Sequence, residues 1–208
     1  MPKPNSKSSA TSQTAGRGQN QLRIIAGEWR GRKLSFPDGE GLRPTGDRLR
    51  ETLFNWLAYS VSGAKVLDLF AGSGALGFEA LSRGAASAVF LDTYTPVVRQ
   101  LRQNLEVLKC TQAEVHQTDA LSWLSQSKAP ASPFNLIFLD PPFGKGLLAP
   151  VCATLEQKGW LADDAWIYLE AEKDLALSDI PSSWQLRKEK KAGQVICRLY
   201  RRDSAPIE

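Results

Sequence analysis

The stretch Val66-Leu67-Asp68-Leu69-Phe70-Ala71-Gly72-Ser73-Gly74-Ala75-Leu76-Gly77 passes from an apolar run, through closely spaced glycines, into a helical pattern. Such a run suits a strand buried on both faces, and the glycines permit a tight strand-to-helix turn. Asp92 closes the next apolar run, twenty residues after Gly72. Taken literally, the spacing satisfies the dinucleotide fingerprint, with the acid placed for a ribose. The same string is also compatible with a tight turn that holds no ligand.

Outward from this stretch, apolar runs alternate with helical patterns, which predicts βα units and a mostly parallel sheet. Strands are expected at 65–70, 88–92, 113–116, 134–140 and 165–171, with helices at 76–83, 96–108, 120–127 and 146–158. In the second of these helices Thr95 is the expected cap, Pro96 takes the first helical position, and Val97, Leu101, Leu105 and Leu108 share one face. Residues 184–191 and 194–201 alternate apolar and polar around Ala192-Gly193, which predicts a β-hairpin finishing the sheet antiparallel.

Charge separates two readings of the glycine turn. A carboxylate at Asp68, just before the turn, opposes a pyrophosphate but attracts the ammonium and sulfonium of S-adenosylmethionine. The carboxylate of that molecule can use helix N-terminal amides, and Asp92 can accept both ribose hydroxyls. Asp119, after the third expected strand, can meet an adenine amino group or cap the helix beginning at Ala120.

The run Phe134-Asn135-Leu136-Ile137-Phe138-Leu139-Asp140-Pro141-Pro142-Phe143 sets an acid, two prolines and an aromatic at the mouth of the fourth strand. Two prolines fix φ and remove two N–H donors, leaving a stiff turn with outward carbonyl acceptors. The lone pair of an exocyclic nucleobase amine is delocalised into its ring, so methyl transfer to it needs acceptors on the N–H groups. Asp140 and the Pro141 carbonyl can supply them, while Phe143 can stack on the base. An ordinary strand-terminating turn with Phe143 in the core is the competing structural reading. Asp68, Gly72, Asp92, Asp119 and Asp140 all fall at carboxyl ends of expected strands, so they converge on one face of the sheet, where open α/β sheets bind ligands.

Upstream, residues 1–20 hold no large side chain to bury beyond Met1 and read as a flexible polar tail. Residues 21–208 read as one domain, with 22–60 a hairpin-and-helix extension and 64–202 the core. The runs LRIIAG and RKLSF predict a small hairpin studded with Arg23, Arg30, Arg32 and Lys33, with Trp29 among those bases. Thr45 is the expected cap of a helix running to about Tyr59, with Leu49, Leu53, Trp56 and Leu57 at helical spacing.

Of 208 residues, 42% are hydrophobic and 23% charged, which excludes a disordered or coiled-coil chain. The absence of a long apolar run argues against a membrane span or signal segment and for the cytoplasm. Three scattered cysteines and a single histidine give no basis for a disulfide framework, a metal site or a histidine-based triad. Residues 1–50 carry ten Lys/Arg against four Asp/Glu, whereas the rest carry sixteen against eighteen. Seven more bases cluster between 187 and 202, so two basic segments flank a slightly acidic middle, as suits a polyanionic partner.

The blocks RIIAGEWRGRKL (23–34), LRPTGDRLRETLFNWL (42–57), DLFAGSGALGFEALSRGA (68–85) and DPPF (140–143) resemble the RsmD family of class I S-adenosylmethionine-dependent methyltransferases, from about 22 to 201. That family methylates N2 of a guanine in bacterial 16S ribosomal RNA. The resemblance implies a Rossmann-like, seven-stranded, mostly parallel sheet with an antiparallel last strand, flanked by helices, plus the N-terminal hairpin and helix. It implies donor contacts from Asp68, Phe70, Gly72, Gly74, Asp92, Thr93, Asp119 and Ala120, and amine contacts from Asp140, Pro141, Pro142 and Phe143. It also implies that Arg43, Thr45, Arg48, Arg50 and Glu51 close over the donor or target base, and that Arg23, Trp29, Arg30, Arg32 and Lys33 meet RNA. The implied partner is 16S rRNA, within the small ribosomal subunit or an assembly intermediate, with no metal and no membrane. Asp92 departs from the family's usual Glu, and Thr93-Tyr94-Thr95 follows where a second acid often occurs. The residues alone leave open an adenine-N6 DNA methyltransferase, a protein-glutamine methyltransferase, a nicotinamide oxidoreductase and a noncatalytic RNA-binding assembly factor.

Overall fold

The apolar runs pair into one sheet, as their burial on both faces requires. The computed structural model describes residues 20–39, 45–172 and 180–203. Residues 1–19 of the expected tail and Arg43 lie outside the described residues, while Asn20, expected in the tail, opens the first strand. Strands β3 (Lys65–Asp68), β4 (Ser87–Asp92), β5 (Ala113–Gln117), β6 (Phe134–Leu139), β7 (Leu161–Glu172), β8 (Trp184–Ala192) and β9 (Val195–Arg202) stand in the order β5-β4-β3-β6-β7-β9-β8. The first five run parallel, and β9 lies antiparallel between β7 and β8. The order reverses at β3, so a crevice opens at the carboxyl ends of β3 and its neighbours.

Helices α2 (Ala75–Ser82), α3 (Thr95–Leu108), α4 (Ala120–Gln126) and α5 (Leu148–Gln157) follow β3 to β6 in turn. One apolar core lies beneath α2 and α3, and a second beneath α4 and α5. The glycines of the first turn have distinct jobs. Gly74 stands at φ +76°, where a Cβ would meet Phe78 at 2.5 Å, and a Cβ on Gly77 would lie 2.2 Å from the Phe90 ring. Gly77 thus lets α2 settle directly on β4, while Gly74 makes the left-handed entry to the helix.

The N-terminal extension is a two-stranded ribbon, β1 (Asn20–Arg23) and β2 (Lys33–Phe36), followed by α1 (Asp47–Trp56). It is fastened to α2 by buried polar groups. Both carboxylate oxygens of the fully buried Glu79 accept backbone N–H groups, from Ile25 at 2.8 Å and Ala26 at 3.0 Å. Arg83 donates to the same carboxylate at 2.7 Å, and Arg50 Nη1 lies 3.6 Å away. Ser82 Oγ donates to the Ala26 carbonyl and accepts from the Trp29 N–H.

Two expected caps are corrected. Gly46, not Thr45, precedes α1, because the Thr45 hydroxyl donates instead to Glu170 at 3.1 Å. Thr95 lies inside α3 with Tyr94 before it, and its hydroxyl accepts from Gln117 at 2.7 Å.

Candidate active site

Strands β3 and β4 end in carboxylates that organise the glycine turn. Asp68 is buried and accepts the Gly77 N–H at 3.2 Å, tying the strand end to α2. Burial pushes its carboxyl up to about 7, with a further push from Asp92, against the lowering pull of the Gly77 N–H. Asp92 accepts the Gly72 N–H at 2.9 Å through one oxygen and the Tyr94 N–H at 2.8 Å through the other. Each carboxylate oxygen has a second lone pair, so these bonds position Asp92 without saturating it. Thr93 is exposed beside it, and Phe70 is partly buried at the entry of the turn. Asp119 is exposed and caps α4 by accepting the Ser122 N–H at 2.8 Å, with Ala120 buried in the first turn. Capping uses one oxygen, so the cap and a ligand contact are compatible at Asp119.

Asp140 follows β6 at the same end of the sheet. Pro141 is buried, Pro142 is exposed, and the Phe143 ring is 47% exposed rather than packed in the core. The Pro-Pro-Phe segment that follows Asp140 lines a cleft of about 250 Å³ with Leu147 and Glu170. Burial, Glu170 and Asp68, in that order, raise the Asp140 carboxyl well above the usual carboxylate range.

Glu170 is the residue that sequence reasoning missed. It interrupts the apolar run of β7, its side chain is buried, and the Tyr168 and Thr45 hydroxyls donate to it at 2.9 and 3.1 Å. Burial raises its carboxyl, although those two hydroxyls pull it down. An acid in the apolar stretch Trp166-Ile167-Tyr168-Leu169-Glu170-Ala171 was the available signal, since a buried acid needs partners or a function.

The expected RNA contacts divide. Arg23, Arg30, Arg32, Lys33 and Arg48 are exposed, with Arg32 also donating to the Val107 carbonyl. Trp29 is corrected: it is 7% exposed and packs in the core, so it is closed to a stacking base. Arg50 is corrected too, being buried with Nη2 donating to the Arg23 carbonyl and Asp47. The reason is the same for both, because a basic, aromatic-bearing segment does not reveal that the ribbon lies on α2. The C-terminal basic cluster is largely neutralised, because Arg187, Arg198, Arg201 and Arg202 pair with Asp203, Glu189, Asp164 and Glu156 respectively.

A strand order turning at a glycine loop, an antiparallel last strand inserted between two others, and acids gathered at the strand ends define the methyltransferase class of α/β proteins. The chain belongs to the RsmD family, its residues 22–201 matching the family model described as "Conserved hypothetical protein 95". It is 52% identical over 187 residues to "Ribosomal RNA small subunit methyltransferase D" of Escherichia coli K12, covering 90% of this chain and 93% of that one. Its likeness to the protein of the same name from Haemophilus influenzae is 49% over 184 residues, 88% and 94% of the two chains. Among solved structures, "Putative methyltransferase yhhF from Escherichia coli" superposes with a TM-score of 0.81 at 50% identity, covering 89% of this chain and 100% of that one.

Proposed function

We propose that the chain transfers the methyl group of S-adenosylmethionine to the N2 amine of a guanine in small-subunit ribosomal RNA. The observation that carries the reading is the Asp140-Pro141-Pro142-Phe143 turn, whose acid lies close enough to Asp68 to be acted on by its charge and whose other three residues line a cleft, in a chain 52% identical to a protein named a ribosomal RNA small subunit methyltransferase.

The residues present fit the donor. Asp68 and Asp92 put negative charge where a cationic sulfonium and ammonium are to be held, and no phosphate must be accommodated beside them. Asp92 meets the ribose hydroxyls, Asp119 the adenine amine, and Phe70, Gly72, Gly74, Thr93 and Ala120 form the walls. When bound, S-adenosylmethionine supplies an electrophilic methyl carbon on sulfur.

Asp140 and the Pro141 carbonyl accept the two N–H bonds of the guanine amine, which turns its lone pair toward that carbon. Phe143, exposed at the cleft, stacks on the extruded base, a contact worth about 1–3 kcal/mol per base. As the N–C bond forms the C–S bond breaks, leaving a neutral thioether, and N2 gains positive charge until its proton passes to the Asp140 carboxylate. Pro142 stiffens the turn so that the acceptors do not reorganise during transfer. Arg23, Arg30, Arg32, Lys33 and Arg48 hold phosphates, and Thr45, through its hydrogen bond to Glu170, ties the start of α1 to the cleft.

The test is transfer of labelled methyl to unmodified small ribosomal subunits, with naked 16S RNA and duplex DNA in parallel. Label recovered as N2-methylguanine supports the reading and identifies the substrate form. Label in DNA adenine, or none with S-adenosylmethionine unbound, overturns it.

A further inference from the structure

The guanine reaction proposed above uses Asp140 but leaves Glu170 without a chemical role. In the parallel pairing of β6 and β7, Leu139 stands opposite Leu169. One residue further, Asp140 leaves β6 while β7 continues through Glu170, and the two carboxyl groups lie close enough for the charge of Glu170 to act on Asp140. Among the described residues, no Lys or Arg forms an ion pair with either. Two carboxyl groups side by side in a partly dry cleft ionise together only when donors meet both. The Thr45 and Tyr168 hydroxyls supply donors to one oxygen of Glu170, and a carboxylate accepts about four hydrogen bonds.

A ligand edge with two adjacent N–H donors fits such a pair. Guanine has one, formed by N1–H and the N2 amine. Adenine does not, because its N6 amine neighbours an unprotonated N1 whose lone pair a carboxylate repels. We propose that Glu170 is a specificity-determining residue: with Asp140 on the N2 amine, the Glu170 carboxylate accepts the N1 proton and selects guanine over adenine. This inference rests on the guanine-N2 reading, and it makes Thr45 the residue that aims Glu170 from the segment before α1.

The experiment uses small subunits reconstituted around 16S RNA ligated from a synthetic segment. The methyl-accepting guanine is kept, replaced by 2-aminopurine, which retains the amine but has no N1 proton, or replaced by 1-methylguanine. Wild-type protein is expected to methylate guanine and to lose about 10- to 100-fold on either analogue, as removal of a hydrogen bond to a buried charge implies. Glu170→Gln, whose amide can donate to a bare N1, is expected to lose a similar factor on guanine and to narrow or reverse the preference over 2-aminopurine. Its affinity for S-adenosylmethionine, measured by calorimetry, is expected to stay within about threefold, which separates this effect from misfolding.

Equal transfer by wild type to guanine and 1-methylguanine overturns the proposal without any variant. A parallel loss on guanine and 2-aminopurine in Glu170→Gln overturns it as well and leaves Glu170 a structural anchor. Either outcome leaves the guanine reaction standing, whereas label on adenine N6 from the wild-type protein overturns both.

Discussion

Asp68 shows how a single carboxylate links stability, pH and ligand. Its folded value of about 7 lies above the ordinary 3.8 of an unfolded chain, so the folded state binds an extra proton between those values. Its contribution to stability is therefore complete below about pH 4 and is lost as pH rises to about 7. A cationic donor favours the ionised form, so its binding releases that proton below pH 7. Affinity for S-adenosylmethionine is expected to rise by up to about tenfold per pH unit from about 6 to 7 and to flatten above. Calorimetry across that range and about one unit above it checks this, and Asp68→Asn, whose amide oxygen still accepts the Gly77 N–H, should flatten the profile. Asp140 serves the other half of the reaction: Asp140→Ala should lower transfer at least about 100-fold, because the amine is no longer aligned, yet leave donor affinity within a fewfold. Normal turnover in that variant would remove Asp140 from the mechanism. The glycines, Asp68, Asp92 and the Asp-Pro-Pro-Phe turn were legible because each is a residue type at a set distance from a strand end. Glu170 was not, because its meaning depends on the strand beside it.

At the scale of elements, the N-terminal extension is held by a buried polar hub rather than by apolar contact alone. Glu79 satisfies two N–H groups of the loop between β1 and β2 and pairs with Arg83 beside its own helix. Truncating it leaves those donors and nearby arginines uncompensated, so Glu79→Ala is expected to cost about 3–5 kcal/mol. Thermal denaturation reads the effect, and limited proteolysis should cut first between β1 and β2. Gly27 reports on the same joint. At φ +85°, a Cβ there would lie 1.8 Å from the Ser82 carbonyl oxygen, so Gly27→Ala should lift the loop from α2. A melting temperature equal to wild type in both variants would show that the extension is not coupled to the core. Helical spacing and the Arg-rich ribbon made the extension's elements readable. The hub was hidden, because Glu79 looks like an ordinary polar residue on a helix until the ribbon is laid over it.

Across the whole molecule, exposed positive charge concentrates on the N-terminal ribbon, since four of the seven C-terminal bases are paired with carboxylates. Lys190, from the far end of the chain, donates to Thr52 of α1, so β8 reaches the extension. The combined change Arg23→Ala, Arg30→Ala and Lys33→Ala should weaken RNA binding and reduce the slope of log affinity against log salt by about 1 for each phosphate no longer neutralised. Binding titrations from about 50 to 200 mM salt measure it; an unchanged slope would move the RNA to another face. The order of residues was enough to fix the alternation of strand and helix, the glycine turn, the acids at the strand ends and the family, because these depend on local periodicity, chain direction and short spacings. It took the folded arrangement to bury Trp29 and Arg50, to bring Thr45 and Glu170 together across 125 residues, and to neutralise the second basic segment. Burial and pairing are properties of neighbours in space, and a one-dimensional pattern specifies which faces are apolar without specifying what lies against them.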